Sequence, residues 1–307
     1  RGRIWRIRYS GSDAKPTPSL AATRLDTLTT ADLVTALADS NRLRRSLAVE
    51  RLAAATTPDI PERLAALSIQ GFRSDEARIA ASWCRARRGE LTAADLASLA
   101  SGSSSLLREH TMRIAGAGLL PSTEPLVDVL ITGLADDAAE VRRAAAMAVV
   151  QLPLNESLEP ATVRLADALV RAVGDTEPGD VHLLHALRLA VRSCLRQDAV
   201  LAAVATVESD ATVSRNLADV CLGLESMQAA DVIVQHLLRH GETDKPRLRA
   251  FVEHAATRAS AEGLASLAGI VQEQFAGNLA FQLDLLEAAR RALDRQGKQP
   301  ADALRNW

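Results

Sequence analysis

The stretch TEPLVDVLITGLADDAAEVRRAAAMAVVQLP, residues 123–153, reads as two helices folded back on each other. Thr123 can cap a first helix and Pro125 fits its first turn. Leu126, Val129, Leu130, Gly133 and Leu134 then fall on one apolar stripe. After Ala135 and Asp136, Asp137 and Glu140 form a D-x-x-E capping box that opens a second helix. Val141, Ala144, Ala145, Ala148 and Leu152 share one face of it, and Pro153 stops it. Helices this short are marginal alone, so each stripe needs a neighbour to cover it.

The second-helix start recurs along the chain. A polar capping residue followed five positions later by a basic residue appears as Asp39 and Arg44, Ser103 and Arg108, Asp137 and Arg142, Asp180 and His185, Asp210 and Arg215, and Asp244 and Arg249. Arg78, behind Ser74 and Asp75, fills the gap between the first two, and Asn278 continues the series with Leu283 in the fifth place. From Arg44 to Arg249 is 205 residues in six steps, about 34 each, within the range of helical solenoid repeats. First helices are signalled before each start by Thr30, Asp59 with Pro61, Thr92 with Asp95, Thr123, Glu159 with Pro160, Asp198, Gln228 and Ser260. The pattern predicts an all-α fold, an α-solenoid of about eight helical hairpins over residues 25–295, stabilised by neighbour interfaces rather than one central core.

The run LADDAAEVRRAAAMAVVQL resembles a HEAT repeat, with an Asp before the second helix, a Val-Arg pair in its first turn and small residues after it. That resemblance implies a ladder in which Asp and Arg bond from one repeat to the next. Its members would be Asp39, Asp137, Asp180, Asp210 and Asp244 with Arg44, Arg78, Arg108, Arg142, His185, Arg215 and Arg249. The pattern departs at repeat two, where the cap is displaced, at repeat five, where His185 replaces Arg and the spacing stretches to 43, and at repeat eight, where Leu283 ends the series. Repeat five is therefore where a bulge or a change of curvature is expected. A HEAT-like fold leaves function open.

Composition narrows the function classes. Hydrophobic residues make up 48% of the chain but aromatics only 3%, so Ala, Leu and Val must fill the core. Lys+Arg is 36 against Asp+Glu 38, which argues against a broad nucleic-acid surface. No apolar run approaches the roughly 20 residues of a membrane span. Cys84, Cys194 and Cys221 are far apart, outside any CxxC or CxxCH arrangement, and read as small buried hydrophobes.

Catalytic signatures are missing: no G-x-S-x-G, no G-x-x-x-x-G-K-[ST], no G-x-G-x-x-G after a strand. His182 with His185, and His236 with His240, have helical pair spacing but no H-E-x-x-H context, and read as surface or ladder histidines. Gly116 and Gly118 in GAGLLP read as a helix C-terminal cap, and Arg85, Arg87 and Arg88 in RARRGE as helix-end charge placement. No catalytic residue, metal or cofactor is expected. An enzyme of the HEAT-like lyase or glycosylase kind would need an acidic or aromatic pocket in its groove, which the scarcity of aromatics disfavours. The remaining expectation is a long concave face that binds a protein segment or a neighbouring domain.

One stretch stands apart. In GRIWRIRY, Trp5, Ile7 and Tyr9 alternate with Arg6 and Arg8, the period of a half-buried strand, and a Gly/Ser/Pro-rich linker follows. Gly2 to Ile7 is similar to the G-[RK]-[IL]-[YW]-R-[IV] strand ending the sugar-dehydrogenase-like propeller of planctomycete and verrucomicrobial secreted proteins, described as haem-binding or membrane-bound dehydrogenases. In those, HEAT repeats and usually a CxxCH haem segment follow. The resemblance implies an orphan N-terminal strand at 1–10 from an upstream domain, a linker at 11–24, the repeats at 25–295 and a tail at 296–307. It implies a non-catalytic scaffold within a periplasmic or secreted redox protein. The alternative is an independent scaffold gripping a protein partner through its concave face, and a cytoplasmic setting stays open.

Overall fold

The computed structural model describes Gly11 and residues 28–66, 74–206 and 210–305. The expected strand at 1–10 and nearly all of the linker at 11–24 lie outside the described residues. Those described form helices and connecting turns, with no strand among them. The described residues form an α-solenoid of eight helical hairpins. The first helices of the hairpins are α1 (Thr30–Ala36), α3 (Ile60–Ala66), α5 (Ala93–Ala100), α7 (Glu124–Leu134), α9 (Glu159–Gly174), α11 (Asp198–Thr206), α13 (Met227–His240) and α15 (Ala261–Gln274). The second helices are α2 (Arg42–Ala54), α4 (Asp75–Arg87), α6 (Ser105–Ala115), α8 (Ala139–Gln151), α10 (Val181–Cys194), α12 (Ala211–Cys221), α14 (Lys245–Arg258) and α16 (Leu279–Arg295). A short α17 (Asp302–Arg305) lies in the stretch expected as a tail and packs on α15, with Leu304 buried.

Side-chain caps set many of the boundaries. Thr92 and Asp95 close a full capping box on α5, as Thr29 and Asp32 do on α1. Ser74, Ser104, Asp180, Asp210, Asp244 and Asn278 cap second helices. Several caps fall beside the residue the sequence suggests: Asn41 rather than Asp39, Ser104 rather than Ser103, and Ser226 two places ahead of Gln228. At α8 the expected Asp137–Glu140 box is absent. Ala138 is the N-cap, and its N–H is taken by the carboxylate of Asp136 at 2.9 Å.

Second helices from α4 to α10, and α14 with α16, lie closer together than the first helices on the other layer, so the stack curves toward them. Small residues permit this approach: Ala144, Ala145 and Ala148 on α8, Ala186 and Ala190 on α10, Ala288 and Ala289 on α16 are all buried. At Gly116 an added Cβ would stand 2.5 Å from the Cα of Ala148. The regular stacking changes after repeat five, where α12 leans on α9 and α13. Among the described residues the core forms two clusters, one spanning α1 to α4 and one from α4 to α17, with Trp83 of α4 packed against both.

Candidate functional site

The arginine ladder runs in a different register from the one the sequence suggests. Counted from the N-cap, Arg45, Arg78, Arg108 and Arg142 are fourth in their helices. Arg142 donates to the main-chain carbonyls of Asp136 (2.7 Å) and Asp137 (2.9 Å), and Arg45 likewise to Asp39 (2.7 Å) and Ser40 (3.0 Å). Arg108 donates to the Gly102 carbonyl and grips Asp136 of the next repeat with both Nε (2.6 Å) and Nη2 (2.9 Å). That grip, with burial opposing it, holds the Asp136 carboxyl below the usual range. The inter-repeat carboxylate is thus Asp136, and Asp137 contributes its carbonyl. Arg44 stays within its own repeat, on Asp39 at 3.2 Å, and Arg78 on Asp75 at 3.7 Å.

Further along, Arg215 and Arg249 of the expected series reach carboxylates other than the expected ones in the next repeat, and Arg247 adds a link. Arg215 reaches the buried Glu242 at 3.1 Å, Arg247 reaches Asp219 at 3.1 Å, and Arg249 reaches Asp284 at 3.5 Å. Asp180, Asp210 and Asp244 serve as helix caps through their side chains, and His185 is exposed. The RARRGE arginines are ties as well as helix-end charges. Arg85 pairs with Asp95, Arg87 with Glu50, and Arg88 donates to the carbonyls of Leu52 and Ala55 at the end of α2.

An open groove of about 580 Å³ runs across α2, α4 and α6 of the inner layer. Ile79, Ala80 and Trp83 of α4 form its floor, between Arg42, Arg45, Val49 and Glu50 of α2 and Leu106, His110 and Arg113 of α6. The Trp83 indole N–H donates to His110 Nδ1 at 3.1 Å, and the two rings meet edge to face. His110 must therefore be neutral with its proton on Nε2. Burial lowers its pKa, and Arg113 and Arg42 push in the same direction. Arg113 also lines a smaller hollow of about 250 Å³ between α6 and α8, with Glu140, Arg143 and Met147.

The residues of this surface are scattered in sequence, yet they share a helical register. The ninth residue after the N-cap of α2, α4, α6 and α8 is Glu50, Trp83, Arg113 and Met147, and all four line the two hollows.

His182 is exposed, but His236 is buried rather than a surface residue. Ser214 Oγ lies 2.9 Å from its Nδ1, Nε2 has no hydrogen-bond partner, and burial, with His240 adding to it, lowers its pKa to about 4. Among the described residues, no three His, Cys, Asp or Glu side chains come together as a metal site. The three cysteines are buried and free, their thiols pushed up to about 12 by burial. Among the described residues, no helix is long and apolar enough to cross a membrane.

No family model matches the chain, and neither does any curated protein. Among solved structures, the chain is similar to an engineered protein at 16% identity and a TM-score of 0.43, over 85% of this chain and 77% of that one. It is similar to Kap121p, solved bound to RanGTP, at 14% identity and a TM-score of 0.38, over 86% of this chain. Kap95p, described as binding RanGDP, aligns at 13% identity and a TM-score of 0.35, over 88% of this chain. The chain spans 32% of the Kap121p chain and 53% of the Kap95p chain.

Proposed function

We propose that this protein is a non-catalytic HEAT-like scaffold that holds a protein partner against the inner layer of second helices. The observation carrying this reading is the open groove across α2, α4 and α6, continued by the hollow between α6 and α8. It combines half-buried apolar surface with charged groups at its rim, the make-up of a protein-recognition surface. A peptide-display selection on the full chain tests it. Selected binders should weaken with Arg143→Glu or Met147→Asp on the inner face and keep their affinity with Asp128→Lys or Asp167→Lys on the first helices. The opposite pattern refutes the inner-face reading.

The setting within a secreted or periplasmic redox protein is a further part of the proposal, supported by the similarity of Gly2–Ile7 to a propeller-closing strand. Propeller blade repeats encoded upstream and a CxxCH segment encoded downstream are what it requires. A flanking reading frame lacking both leaves the independent scaffold as the reading.

A further inference from the structure

The groove across α2, α4 and α6 is not uniformly polar. Ile79, half-buried Trp83 and Leu106, which is 42% exposed, make an apolar strip along it. The Trp83 N–H is already committed to His110, so the indole offers hydrocarbon surface to an occupant rather than a donor.

Four arginines and two glutamates line the groove, leaving an excess of two positive charges. The arginines differ in what they have left to give. Arg87 is paired with Glu50, and Arg45 is spent on main-chain carbonyls. Arg113 shares Glu109 across one turn of its helix, with half its side chain in solvent. Arg42 is in no hydrogen bond or ion pair among the described residues, and it stands on the wall opposite Arg113. Beside burial, Arg113 and Arg42 both depress the basicity of His110, with Glu109 opposing them.

The spacing sets the form of the occupant. Two helix-to-helix steps of about 8–10 Å separate the walls. Arg42 opens α2 whereas Arg113 is ninth in α6, about 12 Å further along the helix direction, so an extended chain rising about 3.3 Å per residue covers the diagonal in six or seven residues. A carboxylate at each end and one bulky apolar residue midway would meet Arg42, Trp83 and Arg113 together. A nucleic-acid strand fits less well. Its continuous phosphates would pass Glu50 and Glu76, and a single tryptophan gives no series of rings on which successive bases could stack.

Resting on the reading of the inner layer as a protein-docking face, we infer that this groove receives a short extended acidic segment of a partner protein. Its carboxylates sit on Arg42 and Arg113, and its single apolar side chain lies against Trp83, Ile79 and Leu106.

The test is fluorescence anisotropy on the full chain with the labelled peptide DEAFAED, against KKAFAKK and a short oligothymidylate of equal charge to the acidic peptide. DEAFAED should bind, weaken as salt rises, and lose roughly tenfold in affinity in each of Arg42→Ala and Arg113→Ala, the loss of about one charge-assisted contact. Arg42 is exposed, so its variant folds and the comparison stands. The inference is overturned if DEAFAED fails to bind, if Arg42→Ala leaves its affinity unchanged, or if KKAFAKK or the oligothymidylate binds more tightly. Display-selected peptides that lose affinity with Arg143→Glu but not with Arg42→Ala would overturn this inference and leave the inner-face scaffold standing.

Discussion

Replacing Arg108 with Ala should destabilise the solenoid by about 3 kcal/mol. In the folded chain, the Arg108 guanidinium makes two charged hydrogen bonds to Asp136 and a third to the Gly102 carbonyl. The Asp136 side chain is only 10% exposed. Without Arg108 it retains a single donor, the Ala138 N–H. Breaking a buried pair from one side costs about 3–5 kcal/mol, and the 18% exposure of Arg108 places this case at the lower end. Asp136→Asn, which removes the charge but keeps an acceptor, should make the Arg108→Ala loss smaller, a coupling visible in a double-mutant cycle. Arg171→Ala is the control, because the Arg171–Asp167 pair lies on the surface within one helix and should leave the midpoint unchanged. Urea unfolding followed by helical circular dichroism is the assay, with the slope checked because repeat arrays can unfold in parts. Equal midpoints for Arg108→Ala and Arg171→Ala would refute the argument that Asp136 is the link between repeats.

Other perturbations have equally definite outcomes. Gly116→Ala should cost about 1–3 kcal/mol by forcing α6 off the backbone of α8, whereas Gly179→Ala, with nothing within 4 Å, should change the unfolding midpoint little. Glu242→Ala should cost on the order of 3 kcal/mol, because its side chain is 1% exposed and leaves Arg215 and Arg247 without their shared anion; a neutral result in the same urea assay would contradict it. His236 and His254 have folded pKa values near 4, below the 6.5 of an unfolded histidine, both chiefly through burial. The unfolded chain therefore binds more protons between those values, so stability should fall as pH drops from about 6.5 toward 4, by up to roughly 3 kcal/mol per histidine. His254→Leu should flatten that slope in urea midpoints measured across the range. The lowered Asp136 carboxyl works in a lower window, its contribution present above about pH 4 and lost below as the group protonates.

The hairpins were legible because a stripe such as Leu126, Val129, Leu130 and Leu134 has one physical reading, and Ser, Thr, Asp and Asn announce helix starts to within a residue or two. Which side chain links neighbouring repeats was not legible. Asp136 and Asp137 are adjacent and alike, and only the rotation of one hairpin on the next decides which faces Arg108. The same holds for Glu242, which lies in no helix and is fixed by where the α13–α14 turn meets Arg215. His236, expected as a surface or ladder residue, is buried, because helical spacing says which residues share a face and not which face is covered. The groove escaped for a related reason. Trp83 and His110 are 27 residues apart, and their hydrogen bond exists only once α4 and α6 stack.

The position of Trp83 ties architecture to the proposed recognition. In a solenoid each interface has its own stability, so a seam between core clusters is where units part most easily. Among the described residues the two clusters meet at α4, and Trp83 is the large side chain packed against both while lining the open groove. An occupant resting on Arg42 of α2 and Arg113 of α6 would bridge the same seam from outside. Binding only the assembled arrangement, at a hundred times its Kd it would stabilise the junction by about 2.7 kcal/mol. Slowed amide exchange should then concentrate in α2 and α4 rather than spread along the stack. A groove elsewhere on the inner layer would give the partner a surface but no such leverage over the fold.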